Sequence, residues 1–233
     1  MSDEPVSGAR AAPAVSVVVG RTSSETFGAD ERMLRSGRCA VSVTVLSELS
    51  VSYGVGVRES APFLARARAE GIPVARRTSG GSGVLHAPGD LAWSVVLPKD
   101  DPRVGQDFVR AYGRFGAGVV RFLAGRDLAA EWSSPPDLAP DYCVLSGRGQ
   151  VLSVRGQILG GAAQHVSRSA LLHQGMLFRD VDRARVARLF SLSEPAALGR
   201  LVGLGDLGVT APPEELARGL ARCLAEGLGV GSP

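Results

Sequence analysis

RRTSGGSGVLHAPGDLAWS, residues 76–94, joins two arginines to a loop with glycine at positions 80, 81 and 83 around Ser82. A histidine, a turn at Pro88–Gly89 and an apolar strand follow. Glycine adopts positive φ without strain and leaves the backbone amides uncovered. Successive uncovered amides form an anion-binding concavity. Arg76 and Arg77 stand beside it, and guanidinium forks grip phosphate or carboxylate through paired hydrogen bonds. The spacing is not that of a Walker loop, because no Gly-Lys-Ser/Thr follows. It is not a dinucleotide fingerprint either, because a strand comes next and not a helix. On composition alone, a glycine-rich hairpin carrying surface arginines is the simpler reading.

Outward from this stretch the chain alternates strand and helix patterns. AVSVVV (14–19), VSVTVL (41–46) and SVSYGVGV (50–57) read as strands, the last by its period-two alternation. ADERMLRSG (29–37) reads as a short helix closed by Gly37, and SAPFLARARAEG (60–71) as a helix with Pro62 near its start. From Pro102 to Gly125, apolar residues at Val104, Phe108, Tyr112, Phe115, Val119 and Phe122 trace one helical face. Residues 126–141, with Pro135, Pro136 and Pro140, read as a loop. YCVLSGRGQVLSVRGQILGGAAQ (142–164) and ALLHQGMLF (170–178) read as strands with tight turns, and 182–190 as a helix. PPEELARGLARCLAEGL (212–228) opens with prolines and two glutamates, as a helix N-terminus favours. Its Leu216, Leu220, Leu224 and Leu228 form one stripe. The organisation expected is a flexible 1–13, a single domain over 14–229 and a tail at 230–233.

The 233 residues are 45% hydrophobic and 21% charged, enough for a substantial core. The net charge of +3 comes from arginines scattered among acids, Lys99 is the sole lysine, and aromatics are only 5%. That is a solvated surface and not a nucleic-acid face, which clusters its cations. No apolar run reaches membrane-spanning length, and MSDEPVSGAR lacks the basic-then-apolar pattern of a secretory leader. Cys39, Cys143 and Cys223, and His86, His165 and His173, show no metal spacing. Reduced thiols in the cytoplasm are expected.

The order Arg76, Arg77, Ser79, Gly80, Gly81, Val84, His86, Gly89, Leu91, Trp93, Ser94 resembles the signature of the lipoate–protein ligase A and octanoyltransferase superfamily, with Ser82 in place of its third glycine. GADERM (28–33), VSYG (51–54), RGQILGGAAQ (155–164), LLHQGMLF (171–178) and the closing helix resemble further family segments. The resemblance implies an α+β fold: a mixed β-sheet flanked by helices, related to biotin ligases and class II synthetases. It implies attachment of lipoate or octanoate to a carrier-domain lysine, either from ATP with Mg2+ through an acyl-adenylate or from an acyl carrier protein through a cysteine. The expected partners are a lipoyl carrier domain or acyl carrier protein. In that setting Arg76, Arg77, Ser79, Gly80, Gly81, Ser82, Gly83 and His86 would wrap the acyl or phosphate end of the substrate. Gly161, Ala163 and Gln164 would complete the wall.

Aligned on Gly161–Gln164, the second signature puts Ile158 where the family carries its lysine. An ammonium aimed at developing negative charge is worth about 10²–10³ in rate; isoleucine offers neither charge nor hydrogen bond. Arg148 or Arg168 reaching in could replace it. Cys143 reads as a buried structural thiol in a strand, and Cys223 as core. Three readings are weighed: an acyl ligase or transferase with an altered catalytic residue; an impaired binding module that keeps an acyl or nucleotide pocket or pairs with a complementary subunit; and an unrelated phosphate-binding domain, which the length of the match disfavours.

Overall fold

The computed structural model describes residues 12–104, 108–193 and 195–229. Most of the expected flexible start, the 230–233 tail and residues 105–107 of the expected 102–125 helix lie outside them; residues 102–104 form a turn. Along the chain run β1 Ala14–Arg21, α1 Ser23–Ser36, β2 Ala40–Leu46, β3 Ser50–Tyr53, α2 Pro62–Ala69, β4 Val74–Arg76, β5 Gly83–His86 and β6 Leu91–Pro98. After these come α3 Phe108–Ala124, β7 Ala130–Ser133, β8 Gln150–Val154, β9 Gln157–Val166, β10 Ala170–Leu177, α4 Arg183–Phe190, α5 Pro195–Leu198 and α6 Pro213–Gly227.

A seven-stranded mixed sheet has the order β1-β2-β6-β10-β9-β8-β7, and a three-stranded sheet the order β4-β3-β5. β1 runs parallel to β2, while β6, β10, β9, β8 and β7 pair antiparallel with their neighbours. The architecture is α+β, as expected. One face of the large sheet offers Trp93, Val95 and Leu97 to Phe115, Val119 and Phe122 of α3 and to Leu216, Leu220 and Leu224 of α6. These six helix residues belong to the stripes legible in the sequence, each leucine contributing about 1.5–3 kcal/mol. A second cluster joins Val151, Ile158 and Met176 of the large sheet to Val51, Tyr53 and Val84 of the small one, with α2 and α4 packed around them. The candidate site lies between the sheets, beside this second cluster.

Several elements differ from expectation. α1 begins six residues earlier than 29, because Thr22 and Glu25 form a reciprocal capping box that nucleates the first turn. Gly37, with φ 62°, ends it as expected. The strand at 50–57 stops at Tyr53, since Gly54 turns the chain against the Gly80–Gly81 backbone; a Cβ at Gly54 would strike both carbonyls. Residues 143–145 form a 3₁₀ turn and not a strand. Within 126–141, Ala130–Ser133 pairs with β8. Among the described residues no helix is long and apolar enough to cross a membrane.

Candidate functional site

A narrow cavity of about 50 Å³ opens between the large sheet, the small sheet and α1. Its floor is the inward face of the large sheet: Ala92 on β6, Gln174 and Met176 on β10, Gly161 and Ala163 on β9. The small residues of β9 keep that floor open. Phe27 and Asp30 of α1 cover one side, and Ser52 of β3 with Val84 and His86 of β5 close another. Arg77 and Ser79 enter from the loop after β4, and Cys143 from the 3₁₀ turn.

Arg77 is buried, only 7% exposed. Its Nη1 donates to Ser52 Oγ at 2.5 Å, and its Nη2 donates to the carbonyls of Gly80 at 3.2 Å and Ser82 at 3.0 Å. The glycine loop therefore turns carbonyls onto the guanidinium: the cation stitches the loop closed. Burial pulls the Arg77 pKa down, against the opposing influence of the neighbouring Cys143 thiol. Ser52 Oγ also lies 2.6 Å from His86 Nε2. Burial, and then Arg77, push the His86 pKa down to about 3, so its ring is neutral.

Gly81 has φ 91°, a conformation open to glycine. A Cβ built there would stand 2.6 Å from Cys143 Sγ and 3.3 Å from Arg77 Nη2. Thiol and guanidinium thus flank the same point at the cavity wall. Asp30 is buried beside Gln174, whose Nε2 donates to Asp30 Oδ2 at 2.5 Å. Burial raises the Asp30 pKa to about 6, against hydrogen bonds from Ser94 and Gln174.

Of the expected site residues, Arg77, Ser79, His86, Gly161 and Ala163 line the cavity. Gly80 and Ser82 accept from Arg77 through their carbonyls, and Gly81 stands beside Cys143, but none of the three lines the cavity. Three further residues depart from expectation. Arg76 is exposed and donates to the Val55 carbonyl, because strand alternation turns it away from Arg77. Gly83 belongs to β5 and packs against Phe63 and Phe190. Gln164 pairs with His173, and so shares the opposite sheet face, where His173 packs against Trp93, Tyr112 and Phe115.

Ile158 occupies an apolar position. A register shift opposite Leu152–Ser153 inserts Leu159 as an extra residue in β9. The shift returns Ile158 to the face of Gly161, where it joins the second cluster with Val84, Tyr142 and Val144. Its backbone bonds to Arg200 and Val202. Arg148 and Arg168, the replacements considered, are exposed, and so is Lys99.

Cys143 corrects the sequence reading. Its thiol lines the cavity, in a 3₁₀ turn held by Tyr142 bridging to Gly83. Ser52 and Gln174 were also not singled out. For Ser52 the only signal was a small hydroxyl residue between Val51 and Tyr53.

A family model described as the lipoyl protein ligase A/B catalytic domain matches residues 45–200. Octanoyltransferase LipM of an Exiguobacterium species is 31% identical over 137 residues, covering 54% of this chain and 49% of that protein. Its namesake in Macrococcus caseolyticus is 27% identical over 139 residues, covering 56% and 50%. The match spans about half the length of these relatives. A solved lipoate-protein ligase A bound with ATP superposes with a TM-score of 0.74 at 23% identity, over 94% of this chain and 86% of that one. A lipoate protein ligase of T. acidophilum with bound lipoic acid gives 0.72 at 21%, over 95% and 87%. Both share the fold.

Proposed function

Because the chain belongs to the lipoyl protein ligase A/B catalytic-domain family, we propose that it is an acyltransferase that carries an octanoyl group on the Cys143 thiol and passes it to a carrier-domain lysine. The observation that carries this reading is the Cys143 thiol on the cavity wall beside the Arg77 guanidinium. The pair sets a nucleophilic side chain and a cation on one wall of the cavity. Relatives named octanoyltransferase support the substrate class.

In the first step the Cys143 sulfur attacks the thioester carbonyl of an octanoyl-carrier protein. A new S–C bond forms, the carrier's C–S bond breaks, and the carrier thiol leaves with the proton. In the second step the lysine amine of a lipoyl domain attacks the Cys143 thioester. An amide forms, and the thiol is regenerated with a proton from the amine. Ala92, Met176 and Phe27 supply apolar wall for the acyl chain. We place residues 14–229 in this role as one catalytic unit, acting with cytoplasmic carriers.

A ligase using ATP with Mg2+ is the alternative that the solved neighbours suggest through their bound ATP and lipoic acid. The residues here fit it poorly. The lysine position holds Ile158 in an apolar cluster, and the Nη groups of Arg77 are engaged by Ser52, Gly80 and Ser82. The test is to mix the protein with octanoyl-carrier protein and a lipoyl domain, without ATP, and weigh the domain. A gain of one octanoyl group, lost in Cys143→Ala, supports the transferase. A gain seen only with free octanoate and ATP supports the ligase. Octanoate binding without any gain supports a non-catalytic module, the reading favoured by Ile158.

A further inference from the structure

The small sheet contributes a hydroxyl that no motif singles out. Ser52 sits at mid-strand in β3, fully buried, in register with Ala75 of β4 and Val84 of β5. Its neighbours Val51 and Tyr53 belong to the apolar cluster. Its oxygen is 2.5 Å from Arg77 Nη1 and 2.6 Å from His86 Nε2. A guanidinium has only donors, so Arg77 donates to Ser52. A Ser52 proton directed to His86 is accepted by Nε2, and the imidazole proton of the neutral ring then sits on Nδ1. Nδ1 has no hydrogen-bond partner among the described residues.

We propose that Ser52 is a positioning residue: the relay from Arg77 through Ser52 to His86 fixes the Arg77 guanidinium beside the Cys143 thiol. The two Nη arms are held from opposite partners, one by the β3 hydroxyl and one by the Gly80 and Ser82 carbonyls. Removing the hydroxyl frees the first arm and leaves His86 Nε2 unpaired in the interior. The fork then pivots on the loop carbonyls, and the thiol loses a fixed cation. The purpose of the arrangement rests on the transferase reading; its geometry does not.

The test compares alkylation of Cys143 by anionic iodoacetate and by neutral iodoacetamide, mapped by peptide mass spectrometry. The ratio of the two rates reports positive charge at the thiol and cancels changes in access. Ser52→Ala lowers the ratio by roughly fivefold, the effect of moving one charge away in a partly screened site; Ser52→Thr, which keeps the hydroxyl, retains it. A folded Ser52→Ala protein with the parent's ratio overturns the proposal. A second measurement needs no variant: ¹⁵N NMR of the parent protein shows His86 protonated on Nδ1, and protonation on Nε2 overturns the relay. Neither readout involves acyl transfer, so a protein that fails to transfer octanoate leaves both outcomes decidable.

Discussion

Cys143 and Arg77 meet across Gly81: a methyl group on that glycine would lie 2.6 Å from the Cys143 sulfur and 3.3 Å from the Arg77 guanidinium. Two residues 66 positions apart are thus brought to one point by a backbone that carries no side chain. Gly81→Ala breaks the arrangement twice, through its positive φ and through the clash. The expected result is a loss of about 1–3 kcal/mol in urea unfolding, together with slower reaction of Cys143 with thiol reagents.

Arg77 holds its loop with a fork, and a lysine cannot. Arg77→Lys keeps the charge but offers a single compact ammonium to acceptors on both sides of the guanidinium. At least one of the Ser52, Gly80 and Ser82 oxygens is left unpaired in the interior. The expected cost is about 1–3 kcal/mol, measured by chemical denaturation, with Ser52→Ala and Arg77→Lys non-additive because they share one bond.

Ile158 tests whether the ammonium of the family can be restored. Residue 158 faces the second apolar cluster, so Ile158→Lys places a charge among Val84, Tyr142 and Val144. A loss of about 2–4 kcal/mol is expected, read as a fall in melting temperature, whereas Ile158→Met costs less than about 1.5 kcal/mol. A stable Ile158→Lys protein that gains ATP-dependent ligation would instead show that the position retains access to the substrate.

Acid sensitivity follows from His173. Its ring packs against Trp93, Tyr112 and Phe115, and neither nitrogen has a hydrogen-bond partner among the described residues. Burial lowers its pKa from 6.5 to about 3. The unfolded chain therefore binds a proton before the folded one does, and stability is lost as pH falls from about 6.5 toward 3. Asp30 works the other way: with its pKa raised to about 6, it favours the folded state as pH falls from 6 toward 4. His86 adds to the histidine effect. Burial raises the Asp90 pKa to about 8, so it acts in the same direction as Asp30. Against that background His173→Phe should raise the denaturation midpoint at pH 4 relative to pH 6.5 when compared with the parent; an unchanged pH dependence contradicts the assignment.

What the sequence disclosed follows the range of the forces involved. α3 and α6 were legible because their apolar stripes recur along one helical face and meet the sheet directly. The 76–94 stretch was legible because Arg77, Ser79 and His86 occur in order. Arg76 and Gln164 were misplaced because a motif records spacing but not the face that strand alternation assigns. Cys143 read as strand because Tyr142, Val144 and Leu145 favour one; the bridge from Tyr142 to Gly83, contributed from 59 positions away, decides otherwise. The start of α1 was overlooked although its capping box, Thr22 with Glu25, is local. Ile158 required the extra residue in β9, which only the pairing with β8 reveals.

The most direct test is to trap the acyl-enzyme. The protein is mixed with octanoyl-carrier protein, quenched in acid and digested, and its peptides are mapped by mass spectrometry. One octanoyl group on the peptide containing Cys143, released by hydroxylamine and absent in Cys143→Ala, is the predicted result. Octanoyl transfer to a lipoyl domain that persists in Cys143→Ala, or an adduct confined to Cys39 or Cys223, would contradict it.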